Sequence, residues 1–398
     1  MTQHSDSPIV IIGTGLAGYS LAKELRKIDK TQNLVLITQD AGHFYSKPQL
    51  STALNQAKSP QELIITSKEK MESQLEAKIY AHTTVTAIDT ARQSITFHSP
   101  TGTHELHFSK LVFANGASPK PLTIFDDIHH HYRINSLQDY DHFITQLKQW
   151  EKLIIIGSGL VGCEFAHDLL ASGIQITVVT PDPYPLLGLV PAPIGQALQQ
   201  ALMRKGVIWH TQALLKEVIN NNHHQHHNNH QHHLHLSNGN SLTADAVLSA
   251  IGLQPNIALA HQAKINVRNG IVVNDYLQTN HSAIFALGDC AEIKGICRQY
   301  ISPILLCSKA LAQTLCGNPT PVMLPSTPIT LKVDAYPIIT YPVPKDIKGE
   351  WQIDQNAQDF KALFYDTKGQ LQGYTLSGSF LEYRQTCLQA LNTNPAIA

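Results

Sequence analysis

Pro8-Ile-Val-Ile-Ile-Gly13-Thr-Gly15-Leu-Ala-Gly18 and, 144 positions on, Leu153-Ile-Ile-Ile-Gly157-Ser-Gly159-Leu-Val-Gly162 carry the same glycine punctuation. In each, an apolar run of strand character enters the glycines. An amphipathic pattern comes next, with Leu16, Ala17, Leu21, Leu25 and Ile28 after the first copy and Leu160, Val161, Phe165, Leu169 and Leu170 after the second. A strand before and a helix after are the context in which G-x-G-x-x-G carries weight. Gly13 permits the tight turn, Gly15 lets the backbone approach a pyrophosphate, and Gly18 allows the helix to pack close to the strand; Gly157, Gly159 and Gly162 repeat the set. A pyrophosphate suits a helix N-terminus, so two such units predict two dinucleotides, most economically a flavin and a nicotinamide.

Residues 8–40 read as strand, helix and strand, the helix closing near Asp29-Lys30; residues 153–180 repeat the plan, with Gly173 as the helix cap. Lys110-Leu-Val-Phe-Ala114-Asn-Gly and Ala246-Val-Leu-Ser-Ala-Ile-Gly252 read as crossover strands between the halves. The predicted fold is α/β, with two tandem Rossmann-like FAD- and NAD-binding domains and a small C-terminal α+β domain. The expected boundaries are 1–117 with 245–320 for the first domain, 118–244 for the second and 321–398 for the third, where prolines alternate with short β-like stretches.

Composition excludes several classes. With 29 Lys+Arg against 30 Asp+Glu in 398 residues, nothing points to nucleic acid. No run of 18 apolar residues occurs, and the first residues lack the pattern of a signal peptide, so no membrane association and a cytoplasmic location are expected. The six cysteines show no metal-ligand or redox-pair spacing and read as reduced packing residues, Cys163 and Cys290 included. The His/Asn/Gln tract at 220–235 has no ligand spacing and reads as a solvated hairpin tip or loop, so no metal site is expected.

Asp40 lies 22 residues past Gly18. It suits an adenosine ribose, or else it is a turn residue, because Thr38 and Gln39 stand directly at the strand end. The second unit ends in Thr180 where an NAD site commonly places an acid, and Asp182 either replaces that acid or sits in a surface turn. No Arg occurs from 165 to 203 to meet a 2′-phosphate, which favours NADH over NADPH.

Thr279-Asn-His-Ser-Ala-Ile-Phe285-Ala-Leu-Gly288-Asp289 completes a pattern that resembles the FAD-dependent pyridine-nucleotide oxidoreductases, in which this Asp meets the flavin ribitol. The segment after the first unit sets the subfamily. Disulfide reductases carry a cysteine pair there and a C-terminal His, whereas this chain has no cysteine before Cys163 and no His after His281. Instead Phe44-Tyr-Ser-Lys47-Pro48-Gln-Leu50-Ser51 is similar to the Tyr-x-Lys-Pro-x-Leu-Ser segment of rubredoxin reductases, and Gly162-Cys163-Glu164-Phe165-Ala166 with Asp168, Ser302-Pro303 and Lys332 agree. Leu331-Lys332-Val-Asp-Ala, where the family has Val-Lys-Thr-Pro, and Gly188, where it has Arg, depart from it.

The resemblance implies that Thr14, Gly15, Leu16 and Ala17 hold the FAD pyrophosphate, with Thr38 and Gln39 at the adenosine and Val85 offering backbone to the adenine. Lys47 would approach the flavin ring and pair with Glu164 beneath the nicotinamide, these two forming the catalytic pair; Glu164 reads otherwise as a carboxylate that complements the helix dipole. Ile301 and Lys332 would complete the ring's surroundings, with Pro48 and Ala114 as further cofactor-binding residues, although Lys332 also reads as a surface residue. The implied activity is electron transfer from NADH through FAD to rubredoxin, without thiol chemistry. A [2Fe-2S] ferredoxin or a flavorubredoxin-type carrier is the alternative acceptor, and a non-catalytic FAD/NADH sensor the alternative class. Lys23, Arg26, Lys27, Lys30, Arg298 and Lys309 are candidates for a docking patch or ordinary solvated residues, and a monomer is expected since no His is contributed to a partner.

Overall fold

The computed structural model describes residues 7–125, 128–220, 232–325, 327–344 and 346–392. They form two compact units. Among the described residues, one comprises 7–46, 61–118 and 253–324; the other comprises 47–60 and those within 119–252 and 325–392.

The first unit is built on a five-stranded parallel sheet with Ile9–Ile12 at its centre, between Leu34–Ile37 and Lys110–Phe113, and with Lys78–Tyr80 and Ile284–Ala286 outermost. Ile9–Ile12 is apolar throughout because both faces of this central strand are buried. Helix Leu16–Ile28 turns Ala17, Leu21 and Leu25 into the core and packs along helix Ile301–Leu315. Each fully buried Leu or Ile of this interior contributes about 1.5–3 kcal/mol. The helix stops at Asp29, whose carboxylate accepts the N–H groups of Thr31 and Gln32 and so diverts the chain into a turn. The unit also contains a three-stranded antiparallel sheet, Thr84–Asp89, Ser94–Ser99 and Gly102–His107.

The second unit repeats the central arrangement. Lys152–Ile156 runs between Gln175–Val179 and Ala246–Ser249, with Ile208–His210 and His131–Tyr132 at the edges. Gly173, at φ +78°, ends the helical stretch after the glycine turn, as the spacing predicts. Val161 departs from the predicted apolar stripe: it is 46% exposed. The buried face of helix Leu160–Asp168 is made instead by Cys163, Phe165 and Ala166 together with two acids, Glu164 and Asp168.

The C-terminal part of this unit is α+β, as expected from its short β-like stretches. Its five-stranded antiparallel sheet runs in the order Ile329–Leu331, Ile338–Tyr341, Leu371–Ser377, Asp359–Asp366 and Gly349–Asn356, with helix Arg384–Asn392 packed on Leu371–Ser377. Of the histidine-rich tract, residues 221–231 lie outside the described residues; the flanking strands Leu215–Asn220 and His232–Leu236 pair antiparallel, with Asn220 opposite His232. No helix among the described residues is long and apolar enough to cross a membrane.

Candidate functional site

The first glycine turn is closed by contacts that only glycine allows. Gly13 sits at φ +115°, and a Cβ there would lie 2.2 Å from the carbonyl oxygen of Ala114. A Cβ on Gly18 would lie 2.0 Å from the carbonyl oxygen of Gly13, so strand, turn and helix meet backbone to backbone. Gly15 differs, because nothing lies within 4 Å of the Cβ position, which leaves its backbone open to an approaching group. Gly15 is also the N-cap of helix Leu16–Ile28; no side chain caps that end, and no acid occupies the first turn. Free N–H groups, a dipole favouring negative charge and an open approach fit the pyrophosphate of a dinucleotide.

The strand end beside this turn is a polar cluster. Asp40 Oδ1 accepts the Thr38 hydroxyl at 2.9 Å and the Gly42 N–H at 2.8 Å, and the Thr14 hydroxyl reaches it at 3.4 Å. Thr14 and Thr38 are buried, whereas Gln39 is exposed and its amide reaches Thr84 Oγ1 at 3.5 Å. That contact, with the Thr83 N–H on the Thr38 carbonyl at 2.8 Å, brings half-buried Val85 close to the same strand end. Gly288 comes to the helix start from the other side: at φ +79°, its Cβ would lie 2.8 Å from that of Ala17. Asp289 therefore sits directly after a turn packed against the first turn of the helix. Ile301, in the same unit, is 43% exposed at the start of helix Ile301–Leu315.

The second turn is built alike. Cβ atoms on Gly157 and Gly162 would lie 2.6 Å from the carbonyl of Ala250 and 2.2 Å from that of Gly157, while Gly159 again has nothing within 4 Å. Helix Leu160–Asp168 likewise has no side-chain cap and no first-turn acid. The hydroxyls of Ser158 and Thr180 meet at 2.8 Å, and the Asp182 N–H donates to Thr180 Oγ1 at 3.2 Å. Asp182 is thus tied to the strand end by its backbone as well as by a long hydroxyl contact, Thr180 Oγ1 to Oδ2 at 3.5 Å.

One helical turn further on, the second unit concentrates its buried charge. Glu164 is only 5% exposed and lies past the first turn, so the helix dipole is not its main partner. Its Oε2 accepts the Ser51 hydroxyl at 2.5 Å and faces the Lys332 ammonium at 3.1 Å, while its Oε1 accepts the Lys332 N–H at 3.2 Å. The Lys332 ammonium stands at ion-pair distance from Glu164, just past strand Ile329–Leu331 of the C-terminal sheet, and also donates to the carbonyl of Pro48. Lys47 belongs to the same unit and opens the short helix Lys47–Gln49, exposed. Asp168, 1% exposed, accepts the N–H groups of Asn55 at 2.8 Å and Leu54 at 3.2 Å. Burial pushes its pKa from 3.8 to about 6, against the pull of those N–H groups and of Lys332. Sequence reasoning gave neither Asp168 nor Ser51 a role of its own; the helical spacing of Glu164 and Asp168 is the one signal that could have found the acid pair.

The cysteines are as the sequence predicts. Cys163 and Cys290 are fully buried, and burial raises both thiols, that of Cys290 to about 12, which leaves little nucleophilic thiolate at neutral pH. Three of the candidate docking residues have contacts within their own unit. Arg26 spends its guanidinium on the carbonyls of Leu75, Gln32, Glu76 and Asp29, joining two helix ends. Lys23 lies over the Phe44 ring at 4.0 Å and Lys27 pairs with Glu24 at 2.6 Å.

Uncapped paired glycine helices, an acid turn against the first and a buried acid pair behind the second define a dinucleotide-dependent oxidoreductase. Residues 7–313 match the pyridine nucleotide-disulphide oxidoreductase family, and the chain belongs to it. Residues 321–391 match the rubredoxin binding C-terminal domain. Rubredoxin-NAD(+) reductase of Acinetobacter baylyi is 40% identical over 378 residues, 94% of each chain. Nitric oxide reductase FlRd-NAD(+) reductase of Aliivibrio fischeri is 34% identical over 388 residues, 97% of this chain and 99% of that one. Among solved structures, the covalent putidaredoxin reductase–putidaredoxin complex aligns with a TM-score of 0.87 at 22% identity, covering 98% of this chain and 94% of that one, which shows the fold.

Proposed function

We propose that this chain is a rubredoxin-NAD(+) reductase, which oxidises NADH and passes the electrons through FAD to rubredoxin. One observation carries the reading: a rubredoxin binding C-terminal domain stands on the same chain as two uncapped glycine helices. FAD, when bound, supplies the exchange between hydride and single electrons.

In this reading the first turn, Gly13 to Gly18 with Thr14, Leu16 and Ala17, holds the FAD pyrophosphate. Thr38, Gln39, Asp40 and Val85 surround the adenosine end, Ala114 borders the FAD site beside Gly13, and Asp289 accepts from the ribitol. The Asp40 cluster supports a turn-stiffening role, with its second oxygen Oδ2 left to face a ribose. Gly157, Gly159 and Gly162 receive NADH. Lys47, with Pro48, Ile301 and Lys332, borders the flavin ring, where a cation favours the negative charge that reduction brings. Glu164 holds Lys332 and Ser51 at fixed distances, so its work is orientation rather than proton transfer. The free cysteines support a reducing, cytosolic location.

A second acceptor has support of its own, since the relatives at 34% identity are flavorubredoxin-type reductases. Steady-state NADH oxidation with purified rubredoxin, and with the rubredoxin domain of a flavorubredoxin, separates the two. A higher kcat/KM with rubredoxin is expected, and equal failure of both carriers to accelerate turnover would overturn the assignment.

A further inference from the structure

Residues 47–60 carry Lys47 and Ser51 yet have little regular structure of their own. Beyond the short helix Lys47–Gln49 they form turns, held internally by backbone bonds such as Leu50 to Lys47, Thr52 to Gln49 and Lys58 to Ala53. A segment of this kind has no strand ladder or helix to fix its position, so its placement must come from bonds to rigid elements. The rigid element is helix Leu160–Asp168, and the bonds come from its two buried acids, one turn apart. Glu164 takes the Ser51 hydroxyl at 2.5 Å, and Asp168 takes two consecutive backbone N–H groups, Leu54 at 3.2 Å and Asn55 at 2.8 Å, one on each oxygen. Each oxygen of Asp168 is used once, a bidentate grip that fixes direction as well as distance.

A buried carboxylate is a costly way to cap a loop. The charged and titratable groups facing Asp168 are Glu164 on its own helix, Lys332 from the C-terminal part and Tyr140 from helix Leu137–Leu147. Besides the Leu54 and Asn55 N–H groups that it holds, only Lys332 favours the ionised form, and it is already paired with Glu164. An acid kept buried against that balance is better explained by what it holds than by what it adds to stability.

We infer that Asp168 is a positioning residue, which clamps the backbone of residues 54–55 to the helix after the second glycine turn and thereby sets where Lys47 and Ser51 stand. The inference rests on the reading of Lys47 as the flavin-side cation. Displacement of such a group by about 1 Å costs on the order of 100-fold in rate.

The test compares wild-type holoenzyme with Asp168→Asn, which keeps one acceptor oxygen, and Asp168→Ala, which keeps none. Deuterium uptake of peptides spanning 47–60 is expected to accelerate about 10-fold or more in the alanine variant, with the asparagine variant in between and FAD content unchanged. The flavin reduction rate at saturating NADH should fall in the same order by about 10- to 100-fold, with NADH Kd unchanged. Wild-type-like uptake across 47–60 in the alanine variant overturns the clamp. Faster uptake with an unaltered reduction rate overturns its bearing on Lys47. If wild-type flavin is not reduced by NADH at all, the functional reading fails, and the uptake comparison still decides the clamp.

Discussion

Replacing Gly162 with alanine and, separately, Gly18 with alanine should divide the two dinucleotide sites. The new methyl at 162 would lie 2.2 Å from the Gly157 oxygen and 3.6 Å from the Ala250 Cβ; at 18 it would lie 2.0 Å from the Gly13 oxygen and 3.4 Å from Ile11 Cγ2. Neither obstructing oxygen belongs to a side chain that could rotate away, and neither glycine needs a left-handed φ, so the effect is purely steric. Restoring an ordinary contact moves the helix start about 1 Å from its turn, at an overpacking cost of about 1–3 kcal/mol. A misplacement of that size costs on the order of 100-fold in rate, or about 2.7 kcal/mol in transition-state binding. Gly162→Ala should therefore purify yellow, with full FAD, and lose about 100-fold in kcat/KM for NADH. Gly18→Ala should purify with little FAD. FAD per chain, from the visible spectrum, and NADH titration of the reduced-flavin signal read both. Loss of FAD from Gly162→Ala with retention in Gly18→Ala, or wild-type behaviour of both variants, would refute this steric account.

Lys332→Met leaves buried Glu164 without its ammonium and should destabilise the chain by about 1–2 kcal/mol, discounted because Lys332 is 38% exposed; Glu164→Gln should cost less, as urea unfolding of the two will show. Asp168 titrates at about 6 when folded against 3.8 otherwise, so the folded chain holds more protons between these values, and its contribution to stability is present below pH 4 and lost as pH rises through 6. That contribution is on the order of 3 kcal/mol, and urea titrations from pH 4.5 to 7.5 should show the decline in wild type and its loss in Asp168→Asn. Cys163→Ala should retain NADH oxidation, because the raised thiol does no chemistry; a loss beyond what unfolding explains would revive a thiol mechanism. Arg26→Ala should lower Tm without changing the KM for rubredoxin, since its guanidinium holds helix-end carbonyls; a KM shift at unchanged Tm would return it to the docking patch.

Features encoded by local spacing were legible in the sequence. Gly13 and Gly157 announce turns, the continuous Ile9–Ile12 run a buried central strand, and Gly173 a helix end, because each is dictated by backbone sterics within a few residues. The turn that carries Asp289 was legible because it sits in a long motif. The clamp on residues 47–60 was not, because Ser51 and Asn55 meet their carboxylates across 113 positions of chain, and no local periodicity records that. Val161 misled for a related reason. An apolar residue and an acid compete for the buried face of helix Leu160–Asp168, and tertiary partners for Glu164 and Asp168 turned the helix so that the acids went inside. Lys332 was read at the right place with an open role, and its pairing with Glu164 required the C-terminal sheet to be folded against the second glycine helix.

The most direct test mixes NADH-reduced holoenzyme with oxidised rubredoxin in an anaerobic stopped-flow instrument and tracks flavin and iron absorbance together. Two rubredoxin irons should be reduced for each FAD reoxidised, far faster than NADH-reduced enzyme reoxidises without the carrier. Flavin that is reduced by NADH yet stays reduced in the presence of rubredoxin would contradict electron transfer to that partner.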